Sequence, residues 1–275
     1  MTAVVTRDAA GPRPATRSAA RRGAWTYGLL GFVVAVALWE LVTRVWLTSN
    51  AQLAAPEDVV VALGRLVTEG TFWAETGRTL RAWAIGLGLS LALGVVVGVV
   101  IGSSTVVWHA LRPTLDFLRS VPGIALMPLT LLLWGPTLRS DVFLIVFGTV
   151  WTLIVQTTYG VRAVDEMTLE TARSFGFNRL QRIVLVVLPS SLPYLATGLR
   201  IASSVAITVA ISAELLIGNP GLGNQIGLAR SYGQFTDMYA LILTSGVLGV
   251  VLQAGSTALE RRFLRWHESQ RGVRE

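Results

Sequence analysis

Six apolar runs, at 25–47, 82–102, 115–134, 142–161, 192–217 and 238–259, constrain this chain more than any other feature of its sequence. A hydrocarbon layer about 30 Å thick takes about 20 apolar residues as helix, and each run is near that length. Lipid offers nothing to satisfy backbone N–H and C=O groups, so a spanning segment has to be a helix or part of a closed barrel. The alternating pattern of barrel strands is absent, and the expectation is an all-α membrane protein with six transmembrane helices. Composition agrees, with 52% hydrophobic and only 14% charged residues and a mean hydropathy of +0.59, too apolar for an ordinary soluble domain.

Charge sets the orientation. No lysine occurs, so the net charge of +7 rests on 23 arginines. Arginines cluster on the cytoplasmic side of membrane proteins. With both termini cytoplasmic, Arg21, Arg22, Arg112, Arg162, Arg173, Arg179, Arg182, Arg261 and Arg262 fall on that side, against Arg65, Arg78, Arg81, Arg139 and Arg230 opposite. Placement at the ends of apolar runs argues for orientation and against nucleic-acid binding. Residues 1–23, rich in Ala, Pro, Thr and Arg, are expected to form a disordered cytoplasmic tail, 24–267 a membrane domain and 268–275 a second tail. The run after Arg22 is too long for a cleaved signal and reads as an anchor.

Between the runs, 57–80 is expected to be an external amphipathic helix, with Val59, Val60, Leu63, Leu66 and Val67 at helical spacing behind Glu57 and Asp58. Gly94, Gly98 and Gly102 lie one turn apart and invite a closely packed partner helix. Pro122 and Pro128 should kink or break the third span. The absence of cysteine excludes disulfides and thiolate chemistry, and His109 and His267 are too far apart in sequence to suggest a zinc site. No cofactor is implied.

The polar segment 162–190 separates two of the apolar runs. It carries Glu170-Thr171-Ala172, then Gly176 after three residues, then Val186-x-Leu188-Pro189 after nine more. This string resembles the EAA loop of the permease subunits of binding-protein-dependent ABC importers, with Thr171 in place of the middle alanine and Val186 in place of isoleucine. Further pieces are similar to the nitrate/sulfonate/taurine/bicarbonate branch: Pro56-Glu57-Asp58-Val59-Val60, Arg119-Ser120-Val121-Pro122, Arg173-Ser174-Phe175-Gly176, Gly198-Leu199-Arg200 and Arg265-Trp266-His267.

The resemblance implies a type I importer permease fold in a bacterial inner membrane and a non-catalytic subunit. It implies two copies of a cytoplasmic ATPase, an external solute-binding protein and a second permease subunit as partners, with a small anion of the sulfonate, taurine or nitrate kind as cargo. A thiamine precursor or riboflavin-like nutrient is the alternative. It also implies that Glu170, Thr171, Ala172, Arg173, Gly176, Leu188 and Pro189 couple the chain to the ATPase. A short helix over 165–175, with acidic residues in its first turn and Gly176 as its stop, suits that role. Ala172 and Gly176 would let the partner approach, and Leu188-Pro189 and Pro193 would fix the angle to the next span. A chain without lysine cannot supply a Walker A motif, so ATP hydrolysis belongs to another polypeptide.

Arg200, Ser204, Thr208 and Ser212 fall four apart in the fifth run, with Glu214 beyond them. Ser204, Thr208, Ser212 and Glu214, together with Arg119, are candidates for the translocation pathway. The competing reading is that the hydroxyls bond their own or a neighbouring helix, and that Arg119 pairs locally with Asp116. The glycine-rich stretch 218–224 reads as a shaped external turn before a short helix. A transporter working without ATP would more usually show ionisable residues in several spans or internal repeats, and only Glu40, Arg119 and Glu214 stand out here.

Overall fold

The structure is a computed structural model that describes residues 17–46 and 52–263, and among these all regular structure is helical. The described residues divide between Asp58 and Val59 into two compact units.

In the first unit, α1 (Arg17–Leu41) runs into a π-helical turn, Val42–Trp46. Residues 17–23, expected in the tail, are therefore helical, while 1–16 lie outside the described residues. Arg44 pairs with Glu40, one turn earlier, and its Nη2 lies 2.6 Å from Glu57 Oε1. Glu57 opens α2 (Pro56–Val67). Its own backbone amide at the helix start, with Arg44 behind it, holds the carboxyl below the usual carboxylate range.

The expected 57–80 helix is two pieces. α2 ends at Val67, and α3 (Gly70–Gly102) begins three residues later, so 70–80 extends a span rather than an amphipathic surface helix. Thr68, Glu69 and Gly70 form the corner, where a β-branched residue and a glycine weaken the helix. The Trp73 indole closes it by donating to the Val67 carbonyl at 2.9 Å.

The second unit is built on α3, α6 (Leu138–Arg162) and α9 (Leu188–Ile217). Along α3, Ala82, Gly86, Ser90, Gly94, Gly98 and Gly102 recur every fourth residue, and all are buried. They face Ile145, Leu153, Thr157 and Val161 of α6, which is thus the partner that the glycine spacing invited. At this separation polar groups meet across the helices: Thr158 Oγ1 donates to Gly98 O at 3.2 Å, and the Ser90 and Thr149 hydroxyls share a contact of 2.6 Å. Ala202, Ala206 and Ala210 give α9 a similarly small, fully buried face. Between helices in lipid, such close contact replaces the hydrophobic drive that water would supply.

Pro122 breaks the third expected span. Val121 before it is extended, as the residue preceding a proline prefers, and α4 (Thr105–Ser120) meets a 3-10 turn (Gly123–Leu126) and α5 (Met127–Trp134) at 78°. Pro128 does not kink anything; it starts α5, where a missing amide costs nothing. The remaining helices are α7 (Glu166–Ser174), α8 (Arg179–Arg182), α10 (Leu222–Ser231) and α11 (Phe235–Phe263). Four helical stretches, α3, α6, α8 through α9, and α11, are long and apolar enough to cross a membrane, and the bent pair makes a fifth. The other expected span, 25–47, falls on α1 and the turn after it, with Leu47 outside the described residues. Residues 264–275, including Arg265-Trp266-His267 and the tail expected from 268, also lie outside them.

Candidate coupling site and pathway face

The segment between α6 and α9 is structured throughout by local signals. Asp165 is extended and precedes α7, with Glu166 in the first turn at the positive end of the dipole. At the far end Gly176 takes φ +79°. Its amide donates to Arg173 O at 2.9 Å and the Phe177 amide to Ala172 O at 3.1 Å, the paired bonds of a Schellman stop. Asn178 and Gln181 then form a reciprocal capping box, with bonds of 2.8 and 2.9 Å, that starts α8.

Leu188-Pro189 does not set a corner. α8, a π-helical turn (Ile183–Val187) and α9 make one unbroken helix of 39 residues. The Leu188 amide reaches back five residues to Ile183 O, and this wider turn accommodates Pro189, which has no amide to donate. Pro193 sits inside the same helix.

Glu170, Thr171 and Arg173 are exposed on α7, as is Gly176, which has open space around it. Ala172 is 7% exposed and turned inward, packed within the chain. The Thr171 hydroxyl bonds Met167 O at 2.8 Å, which satisfies it within the helix. Leu188 is half-buried and Pro189 exposed. Three apolar side chains that sequence reasoning missed, Met167, Phe175 and Leu180, stand 73, 78 and 69% exposed around the same stub. They lie outside the apolar runs, and a large apolar side chain in a polar segment was the available signal. The base of the stub is anchored to α4 by Arg162, which lies 5.9 Å from the ring centre of buried Trp108, while Arg112, one turn along α4, lies 5.7 Å from the same ring.

Arg200, Ser204, Thr208 and Ser212 share one side of α9. Ser204 and Thr208 are exposed and Ser212 half-buried, while Ala202, Ala206 and Ala210 fill the buried side. Ser204 Oγ donates to Gln253 Oε1 of α11 at 2.5 Å, and Thr208 Oγ1 to Ser204 O at 3.0 Å. The hydroxyls thus bond helix and neighbour while remaining on an open face. Arg200 lies 3.5 Å from Glu260, so α11 adds Gln253 and Glu260 to this face.

Glu214 does not join it. A position two residues beyond Ser212 is rotated about 200° around a helix, and Glu214 is fully buried, its Oε2 accepting from the Thr79 hydroxyl at 2.8 Å and the Gly223 amide at 3.0 Å. Arg119 lies on α4, with its Nη2 4.0 Å from Asp116, which is also 3.9 Å from Arg112.

A family profile described as "binding-protein-dependent transport system inner membrane component" matches residues 90–265 of this chain. The chain belongs to that family. This permease is 30% identical to the putative aliphatic sulfonates transport permease protein SsuC of Bacillus subtilis (strain 168), over 96% of its own length and 99% of the relative's. It is 28% identical to the taurine transport system permease protein TauC of Escherichia coli (strain K12), over 85 and 87% of the two chains. A chain of the MetNI methionine ABC transporter, solved in inward-facing conformations, superposes with a TM-score of 0.61 over 70% of the permease and 96% of that chain, at 19% identity, and shows a common fold. The chain is an ABC transporter permease and a multi-pass membrane protein.

Proposed function

We propose that this permease is the membrane subunit of an ATP-driven importer in a bacterial inner membrane, carrying a small anion of the sulfonate or taurine kind. Two copies enclose the pathway, two cytoplasmic ATPases grip the α7 stubs, and an external solute-binding protein delivers the cargo. One observation carries the reading: a short helix, closed by Gly176 and flanked by uncovered Met167, Phe175 and Leu180, projects between two helices of membrane-spanning length. Exposed apolar side chains rimmed by Glu170 and Arg173 suit a protein partner. Coupling is assigned to Glu170, Thr171, Arg173 and Gly176, with Ala172, Leu188 and Pro189 supporting the stub from within the chain. Ser204, Thr208 and Ser212 are assigned to the pathway face. Closure of the ATPase dimer would move α7 and bias the permease between inward- and outward-facing states. The cargo class follows the relatives named for sulfonates and taurine.

Expression with the neighbouring ATPase and receptor genes, purification on a tag carried by the permease, and uptake of 35S-taurine and an alkanesulfonate into vesicles test this. ATP-dependent uptake by a copurified complex is expected. Uptake that continues without ATP, or a permease that purifies without any ATPase, overturns the proposal.

A further inference from the structure

The turn that follows α9 is tied to all three core helices. Gly218, in the left-handed region at φ +83°, ends α9 and donates its amide to Glu214 O at 2.9 Å. Asn219 is buried, and its Nδ2 donates to Asp141 Oδ1 at 2.6 Å and Thr137 O at 3.0 Å, at the start of α6. Thr79 of α3 donates to Glu214 Oε2 and accepts from the Leu222 amide at 2.9 Å, while Glu214 Oε2 also receives the Gly223 amide. Two of the free amides that open α10 are thus held by a side chain from α3 and one from α9.

Steric fit is equally close. A Cβ at Gly221 would lie 2.2 Å from Glu214 Cδ, and one at Gly223 would lie 2.1 Å from Ile211 O. Beyond the bonds, Leu222 and Ile226 of α10 pack with Phe72 of α3 and Leu241 of α11. Burying a carboxylate is costly, and an apolar side chain would usually pack more stably. What Glu214 supplies instead is direction, because its hydrogen bonds can be made in only one placement of the turn.

We infer that Glu214 and Thr79 form a permanent latch that makes the turn 218–223 and α10 a rigid extension of the core helices α3, α6 and α9. Glu214 is then a positioning residue, and the boundary that moves during transport lies elsewhere. The inference depends on the importer reading only where ATP enters its test.

Hydrogen exchange of the peptide spanning 218–231, in the permease–ATPase complex held in nanodiscs, reads the latch directly, because protected amides report local opening. The wild-type peptide should exchange equally slowly without nucleotide and with ATP plus vanadate. Thr79→Val should speed its exchange about tenfold, the loss of a charge-assisted bond, and Thr79→Ser should not. Because the chain has no cysteine and the Gly221 Cβ direction points at the Glu214 side chain, the pair Glu214→Cys and Gly221→Cys can replace the bonds with a disulfide. Oxidised, it should be as protected as wild type; reduced, it should exchange like Thr79→Val. Faster wild-type exchange in the ATP state, or a Thr79→Val peptide no faster than wild type, overturns the latch. A complex in which ATP changes nothing at α7 overturns the importer reading instead, and leaves the comparison of Thr79→Val with wild type decisive.

Discussion

Thr157 of α6 lies so close beneath Gly98 of α3 that a Cβ on the glycine would come within 2.5 Å of the threonine Cβ and 2.9 Å of Ile154 O. Backbone cannot yield as a flexible side chain would. Gly98→Ala should therefore lower stability by about 1–3 kcal/mol, as overpacking does in a close-packed interior, and Gly98→Leu should block folding. At Gly88, which has nothing within 4 Å, the same Ala substitution should be neutral. Thermal unfolding in nanodiscs checks the contrast.

Gly176 poses a different problem, since it has open space around it and a φ of +79°. The cost of substitution is conformational, about 1–2 kcal/mol for a residue that avoids the left-handed region. Gly176→Asn should keep most coupling and Gly176→Val should lose it, although the two side chains differ little in size. The readouts are recovery of the ATPase with the permease and the ratio of uptake to ATP hydrolysed; equal behaviour of the two variants contradicts the role given to this turn.

The thiol-free chain permits a clean accessibility test. Single cysteines at Ser204, Thr208 and Ser212 should react with a water-soluble maleimide in the assembled complex, while cysteines at Ala202, Ala206 and Ala210, all 0% exposed, should stay protected. Reaction confined to lipid-soluble reagents would remove the pathway assignment.

Among the described residues Asn219 is the side chain that donates to Asp141 Oδ1, at 2.6 Å. Asn219→Ala should cost about 1–3 kcal/mol by leaving a buried carboxylate short of a partner. Asn219→Asp should cost more, because it sets a second carboxylate against the first. The order of the two unfolding temperatures is the test.

Much of this was legible in the sequence where one residue type forces one outcome. Gly176 marked the stop of α7, the glycine spacing of α3 called for a close partner, and Pro122 marked a break. The failures have physical causes as well. Thr68 to Gly70 interrupts a helical pattern that looked continuous, because Trp73 and the corner bonds stabilise a turn there. Pro189 reads as a breaker, yet a π turn gives it room in a continuous helix. Glu214 was placed by its type and depth on the pathway, although its rotation past Ser212 already turned it toward the packing. The contributions of Gln253, Glu260 and Thr79 come from other helices and require the tertiary structure to be seen.

The unbroken helix from Arg179 to Ile217 has 39 residues, about 58 Å of rod at 1.5 Å per residue. One end carries the stub that a motor would hold and the other carries the latched turn. Tilting such a rod by about 5° around its midpoint shifts each tip by about 2.5 Å, in opposite directions. Under the proposed coupling, a push on the stub would reach the turn as an inverted stroke of similar size.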